Sequence, residues 1–90
     1  MIEVEPLSEN EWLVTVKAGT TTKHRVRVTP DDLRQFAGEK VSVQQLLEAS
    51  FRFLLERESN TSILSSFDLP VIGRYFPEYE KEIARYLTAE

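Results

Sequence analysis

The chain has no cysteine. That excludes a disulfide-stapled scaffold, a thiolate zinc site and a cysteine nucleophile. Stability must then come from packing alone, which suits a reducing compartment and points to the cytoplasm. Glycine is scarce, three in all, so no glycine-rich phosphate cradle can be built. The nearest approach, Gly19-Thr20-Thr21-Thr22-Lys23, has one glycine and runs into a strand pattern. A phosphate loop needs two glycines, a Lys followed by Ser or Thr, and a helix next. No apolar stretch approaches the roughly 18 residues of a membrane span. The opening Met1-Ile2-Glu3-Val4-Glu5 lacks the basic start and apolar run of a signal peptide.

Histidine is equally scarce. His24 is the only one, and no neighbour in sequence is placed to orient it for acid–base work, so a role in the hairpin is expected instead. The aspartates Asp31-Asp32 and the acids Glu78, Glu80 and Glu82 fall in first helical turns, where the helix dipole alone favours carboxylates. No catalytic set, metal site or cofactor site is therefore expected, and the chain reads as a non-enzyme.

Basic charge is in deficit overall, with a formal net charge of −4, but it is unevenly spread. Residues 1–11 hold four acids and no base; residues 12–29 hold four bases, Lys17, Lys23, Arg25 and Arg27, and no acid. An acidic total weighs against general nucleic-acid binding, yet the hairpin region is locally basic and offers a binding face for an anionic partner. Pairing of these bases with Glu3 or Glu5 across strands is the competing expectation.

What is present is a complete pattern for one α+β domain over residues 1–90. Trp12, Val14, Val16 and Ala18 alternate on one side, as do His24, Val26 and Val28. The pattern predicts an antiparallel hairpin, with Val14 opposite Val26 and Val16 opposite His24. A one-residue slip would mix the faces; a two-residue slip would preserve them. Ile2 and Val4 make a third, edge strand plausible before Pro6, giving a hairpin or three-strand meander.

Four helices and one helical turn follow. Thr29-Pro30-Asp31-Asp32 starts a short helix that Gly38 stops. Ser42 and Gln45 form a capping box, with Val41 and Leu46 as the hydrophobic staple, for a helix from Val43 to about Glu58. Its apolar stripe omits Phe53, which predicts neighbours on two sides. A helical turn is expected over Ile63–Phe67, then a short helix capped by Asp68 and closed before Pro77, then a last helix carrying Tyr79, Ile83, Tyr86 and Leu87. A helix-turn-helix role for the last pair is disfavoured, because Glu78, Glu80 and Glu82 would face phosphates.

Ala49 to Glu58 (ASFRFLLERE) followed by Ser66 to Glu80 (SFDLPVIGRYFPEYE) resembles a group of small, uncharacterised prokaryotic proteins. With the Trp12 hairpin ahead of it, the resemblance spans residues 12–87 and implies a prokaryotic, cytoplasmic, stand-alone domain. It implies no activity, ligand or site. The helical aromatics Tyr75, Phe76, Tyr79 and Tyr86 form the expected partner or self-association surface, since tyrosine tolerates both apolar and wet surroundings. The leading expectation is a protein-interaction module, homodimeric or with another protein. The alternative is a nucleic-acid or polyanion binder, antitoxin-like or regulatory, using the basic hairpin face.

Overall fold

The computed structural model describes residues 1–38 and 40–88. Three strands, β1 (Ile2–Pro6), β2 (Glu11–Ala18) and β3 (Thr20–Arg27), form the antiparallel meander, and a fourth, β4 (Ser66–Asp68), adds to β3 in parallel. The helices are α1 (Pro30–Phe36), α2 (Val43–Leu55), α3 (Val71–Tyr75) and α4 (Tyr79–Thr88), with a 3₁₀ turn at Asn60–Ser62. The chain is thus α+β, with strands first and helices after.

The strand faces divide as the period-two pattern requires. Val14, Val16, His24 and Val26 are buried, and Ile2, Val4, Trp12 and Phe67 pack at the edges of the same core. The register is the two-residue slip: Val14 pairs with His24, Trp12 with Val26, and Val16 with Thr22. Alternation cannot tell this from the expected pairing, because both keep the same side chains inside. The turn decides it. Gly19 reverses the chain almost alone, at φ 81°, so Thr20 to Thr22 are drawn into β3 rather than left as loop.

Both capping boxes form. Thr29 Oγ1 accepts from Asp32 N–H at 3.1 Å while Asp32 Oδ2 accepts from Thr29 N–H at 3.0 Å. Ser42 and Gln45 do the same at 3.1 and 2.9 Å. These bonds satisfy amide groups that a helix start leaves orphaned. Gly38 closes α1 at φ 79°, with its N–H bonded to Leu33 O at 3.1 Å.

Helix α2 buries two sides at once. Phe51 faces the sheet, 5.4 Å from the His24 ring and 6.2 Å from Phe67. Phe53 faces α3 and α4, with Phe76, Tyr79 and Tyr86 edge-on at 6.0, 5.3 and 5.7 Å. Arg52 and Glu56, on the side of α2 away from its main apolar stripe, turn to α4. Arg52 donates to Tyr86 O at 3.0 Å, and the Tyr86 hydroxyl donates to Glu56 at 2.6 Å. Inside, Ser50 Oγ gives its hydrogen to Leu46 O at 2.7 Å, which leaves the Tyr79 hydroxyl to donate to Ser50 Oγ at 2.7 Å. Burial pushes the Tyr79 phenol above its usual range, although the bond to Ser50 acts the other way.

The segment after α2 departs from expectation. Ile63–Phe67 is not a helical turn; the turn lies earlier, at Asn60–Ser62, and Ser66–Asp68 is strand. Asp68 caps nothing, for α3 begins from Pro70 without a side-chain cap. The free edge of β3 is the reason: its amide ladder takes Ser65 to Leu69, with Arg25 N–H on Ser65 O at 2.8 Å and Leu69 N–H on Arg27 O at 2.9 Å. An unpaired edge outweighs weak local helix propensity over three residues.

Replacing Phe53 with Ala should destabilise the fold by about 4 kcal/mol, since three ring contacts and a filled core site are lost together. Ser42→Ala should cost only about 1 kcal/mol. Urea unfolding followed by circular dichroism measures both, and a Phe53 variant as stable as the Ser42 variant would contradict the two-sided role of α2.

Candidate functional site

The basic residues do share a face. Lys17, Lys23, Arg25 and Arg27 project from the solvent side of the sheet, and all four are exposed. That side also carries Glu3, Glu5, Glu11 and Asp68, so its acids match its bases in number. Lys17 Nζ lies 3.3 Å from Glu3 Oε2, both about half exposed. Arg27 stands between Glu11 on β2 and Asp68 on β4. Arg25 lies in one cross-strand row with Leu13 and Glu5. The acids of β1 therefore neither cover the basic residues nor leave them as a uniform positive field. Among the described residues no ion pair within 4 Å engages Lys23, Arg25 or Arg27.

His24 is buried and fully bonded. A carbonyl can only accept, so Nδ1 carries hydrogen and donates to Leu64 O at 2.7 Å. Nε2 bonds to the Thr22 hydroxyl at 2.9 Å, and Thr22 Oγ1 accepts from Asn60 Nδ2 at 3.1 Å. The second Asn60 amide hydrogen goes to Thr20 O at 2.7 Å. This chain of bonds pins the 60–64 segment to β3. It has no end free for substrate.

The carboxylate clusters also resolve into structure. Asp32 is the α1 cap partner, and Asp31 pairs with Arg34. Glu78 and Glu82 share a face of the last helical stretch and hold one cation. Arg57 Nε donates to Glu78 at 3.0 Å and Nη2 to Glu82 at 3.2 Å. Its guanidinium carbon lies 3.6 Å from the Phe53 ring centre, and Nη1 donates to Phe53 O at 3.0 Å. The backbone N–H at Glu78, and then Arg57, hold the Glu78 carboxyl below its ordinary value. Among the described residues, no three His, Asp or Glu side chains gather as a cation cage.

The aromatic surface expected from Tyr75, Phe76, Tyr79 and Tyr86 splits. Tyr79 and Tyr86 are core residues, buried against Phe53. Their stripe on α4 meets α2, as any unpaired amphipathic helix must meet something. Phe76 is half buried, and Tyr75 is 66% exposed.

Tyr75 and Phe76 line an apolar cleft of about 140 Å³ where the end of α2, the 62–64 segment, β4 and α3 meet. Phe67, Val71 and Ile72 form its floor and wall, Leu64 is 44% exposed at its border, and Glu58 is its one charged residue. Desolvation raises the Glu58 carboxyl above its ordinary value. Sequence reading singled out Tyr75 and Phe76 but missed Glu58 and Leu64. Leu64, set among serines in a polar segment, was the available signal. A second, larger hollow of about 330 Å³ is bordered by Arg52, Glu56, Arg85 and Tyr86; three of these side chains make the α2–α4 bonds already described.

No protein-family model, curated protein or solved structure matches the chain. The functional reading therefore rests on this geometry.

Two carboxylates should respond oppositely to pH. Glu78 has a depressed folded-state pKa, so its contribution is present above the unfolded value of about 4.3 and is lost as pH falls through the folded one. Glu58 has a raised folded-state pKa, so stability falls as pH rises from the unfolded value through the folded one. Glu78→Gln should destabilise more at pH 7 than at pH 3, while Glu58→Gln should be neutral to stabilising at pH 7. Paired urea titrations at the two pH values check both signs.

Proposed function

We propose that this chain is a small, non-enzymatic protein-interaction module that docks a segment of a partner protein in the cleft beside β4. The carrying observation is that two of its large exposed apolar side chains, Leu64 and Tyr75, border the same apolar concavity. Exposed apolar residues scattered singly are ordinary, whereas residues gathered at a cleft mark an interaction site. Small-molecule sites usually enclose about 300 Å³ or more. A cleft of about 140 Å³ instead suits one anchoring side chain. The full engagement of His24 and of the carboxylate clusters supports a binding role rather than catalysis.

The polyanion reading comes second. Lys23, Arg25 and Arg27, exposed and without an ion pair among the described residues, favour it, and the flanking of Arg27 by Glu11 and Asp68 weakens it. Chromatography on heparin at low salt separates the two readings, with no retention expected from this balanced face.

Peptides selected by this chain from a displayed library should perturb the backbone amide resonances of Ile63, Leu64, Tyr75 and Phe76. Tyr75→Glu, at an exposed position that leaves the core intact, should weaken them about tenfold or more. Ligands that map to the sheet's solvent face, or that ignore Tyr75→Glu, would sink the proposal. Light scattering of the free chain tests the homodimeric form; a dimer split by Tyr75→Glu would make the occupant a second copy.

A further inference from the structure

The cleft beside β4 is almost wholly apolar, and its one charged lining residue is a carboxylate. Glu58 is half-buried there and, among the described residues, has no side-chain hydrogen bond or ion pair. The neighbouring cation cannot serve it, because Arg57 is turned to Glu78 and Glu82 on the α4 side. Burial has already raised the Glu58 carboxyl, so the empty cleft disfavours the charged form. An anionic occupant would meet this charge, and a wholly apolar one would desolvate it further without a partner.

The complement is a side chain with an apolar stem and a cationic tip. We infer that the cleft takes an arginine side chain of the partner segment, with its methylenes on Phe67 and Ile72, its guanidinium at Glu58 and the Tyr75 ring as a stacking face. This rests on the docking role proposed above and names the partner's chemistry. Arginine suits the site better than lysine, because the guanidinium is planar, more weakly hydrated and stacks on aromatic rings. The same chain already uses that chemistry once, with Arg57 stacked on Phe53 and bonded to two carboxylates. The cleft's volume of about 140 Å³ is of side-chain size.

The test is a resonance-resolved titration of the whole chain with N-acetylarginine amide, its neutral isostere N-acetylcitrulline amide, and N-acetyllysine amide. Arginine amide should shift the backbone amides of Glu58, Leu64 and Tyr75, and citrulline amide should bind the same residues about tenfold more weakly. Glu58→Gln should bring that ratio close to one, with folding confirmed by the same spectra; if this variant failed to fold, the ratio on the natural chain would still decide. Citrulline binding as tightly as arginine would overturn the inference while leaving the docking role standing. Lysine amide binding as tightly as arginine would overturn the choice of arginine. Shifts confined to the acidic strand residues Glu3 and Glu5, or no cleft shift from any amide at about 50 mM, would overturn the inference, while the docking role stands or falls on the displayed peptides.

Discussion

Phe51 and Phe53 stand two residues apart on α2, about 200° around the helix, and each closes a different half of the core. Phe51 meets His24 and Phe67 on the sheet side. Phe53 meets Phe76, Tyr79 and Tyr86 on the other. A two-layer arrangement needs only one apolar stripe on its helix. This helix carries more, so α3 and α4 form a second layer beneath it rather than lying on the sheet.

The polar groups serve the same packing. Tyr79 enters the core with its hydroxyl given to Ser50, and Tyr86 enters with its hydroxyl given to Glu56. Among the described residues, every buried side-chain nitrogen and oxygen has a partner, as a native core requires. Arg57 lies over Phe53 and ties α2 to Glu78 and Glu82. Residues that look available for chemistry in the sequence are thus spent on joining helices. The cleft beside β4 is where that joining stops, since α3 has five residues and cannot cover the end of α2.

The sheet's open face shows the limit of charge counting along a chain. Residues 12–29 are wholly basic in their charges. Folding sets them beside β1, the preceding strand with Glu3 and Glu5, and beside β4, whose Asp68 comes from far along the chain. The face that results alternates in sign, which suits solubility and resists edge-to-edge association better than it attracts polyanions.

The amino-acid order alone determined the elements whose signals are local. The Thr29 cap, the Ser42–Gln45 capping box, the Gly38 stop, the alternating strands and the exclusion of Phe53 from the α2 stripe are all properties of a few adjacent residues, and each appears as read. Only the tertiary structure decided the hairpin register, because period-two alternation is unchanged by a two-residue slip. Only it made Ser66–Asp68 a strand, because the deciding partner is the β3 edge some forty residues earlier. Likewise it separated Tyr75 and Phe76 at the cleft from Tyr79 and Tyr86 in the core, and it brought Glu58 and Leu64 to one concavity. Those are statements about which side of an element meets which neighbour, and side-chain chemistry does not carry them until the chain is folded.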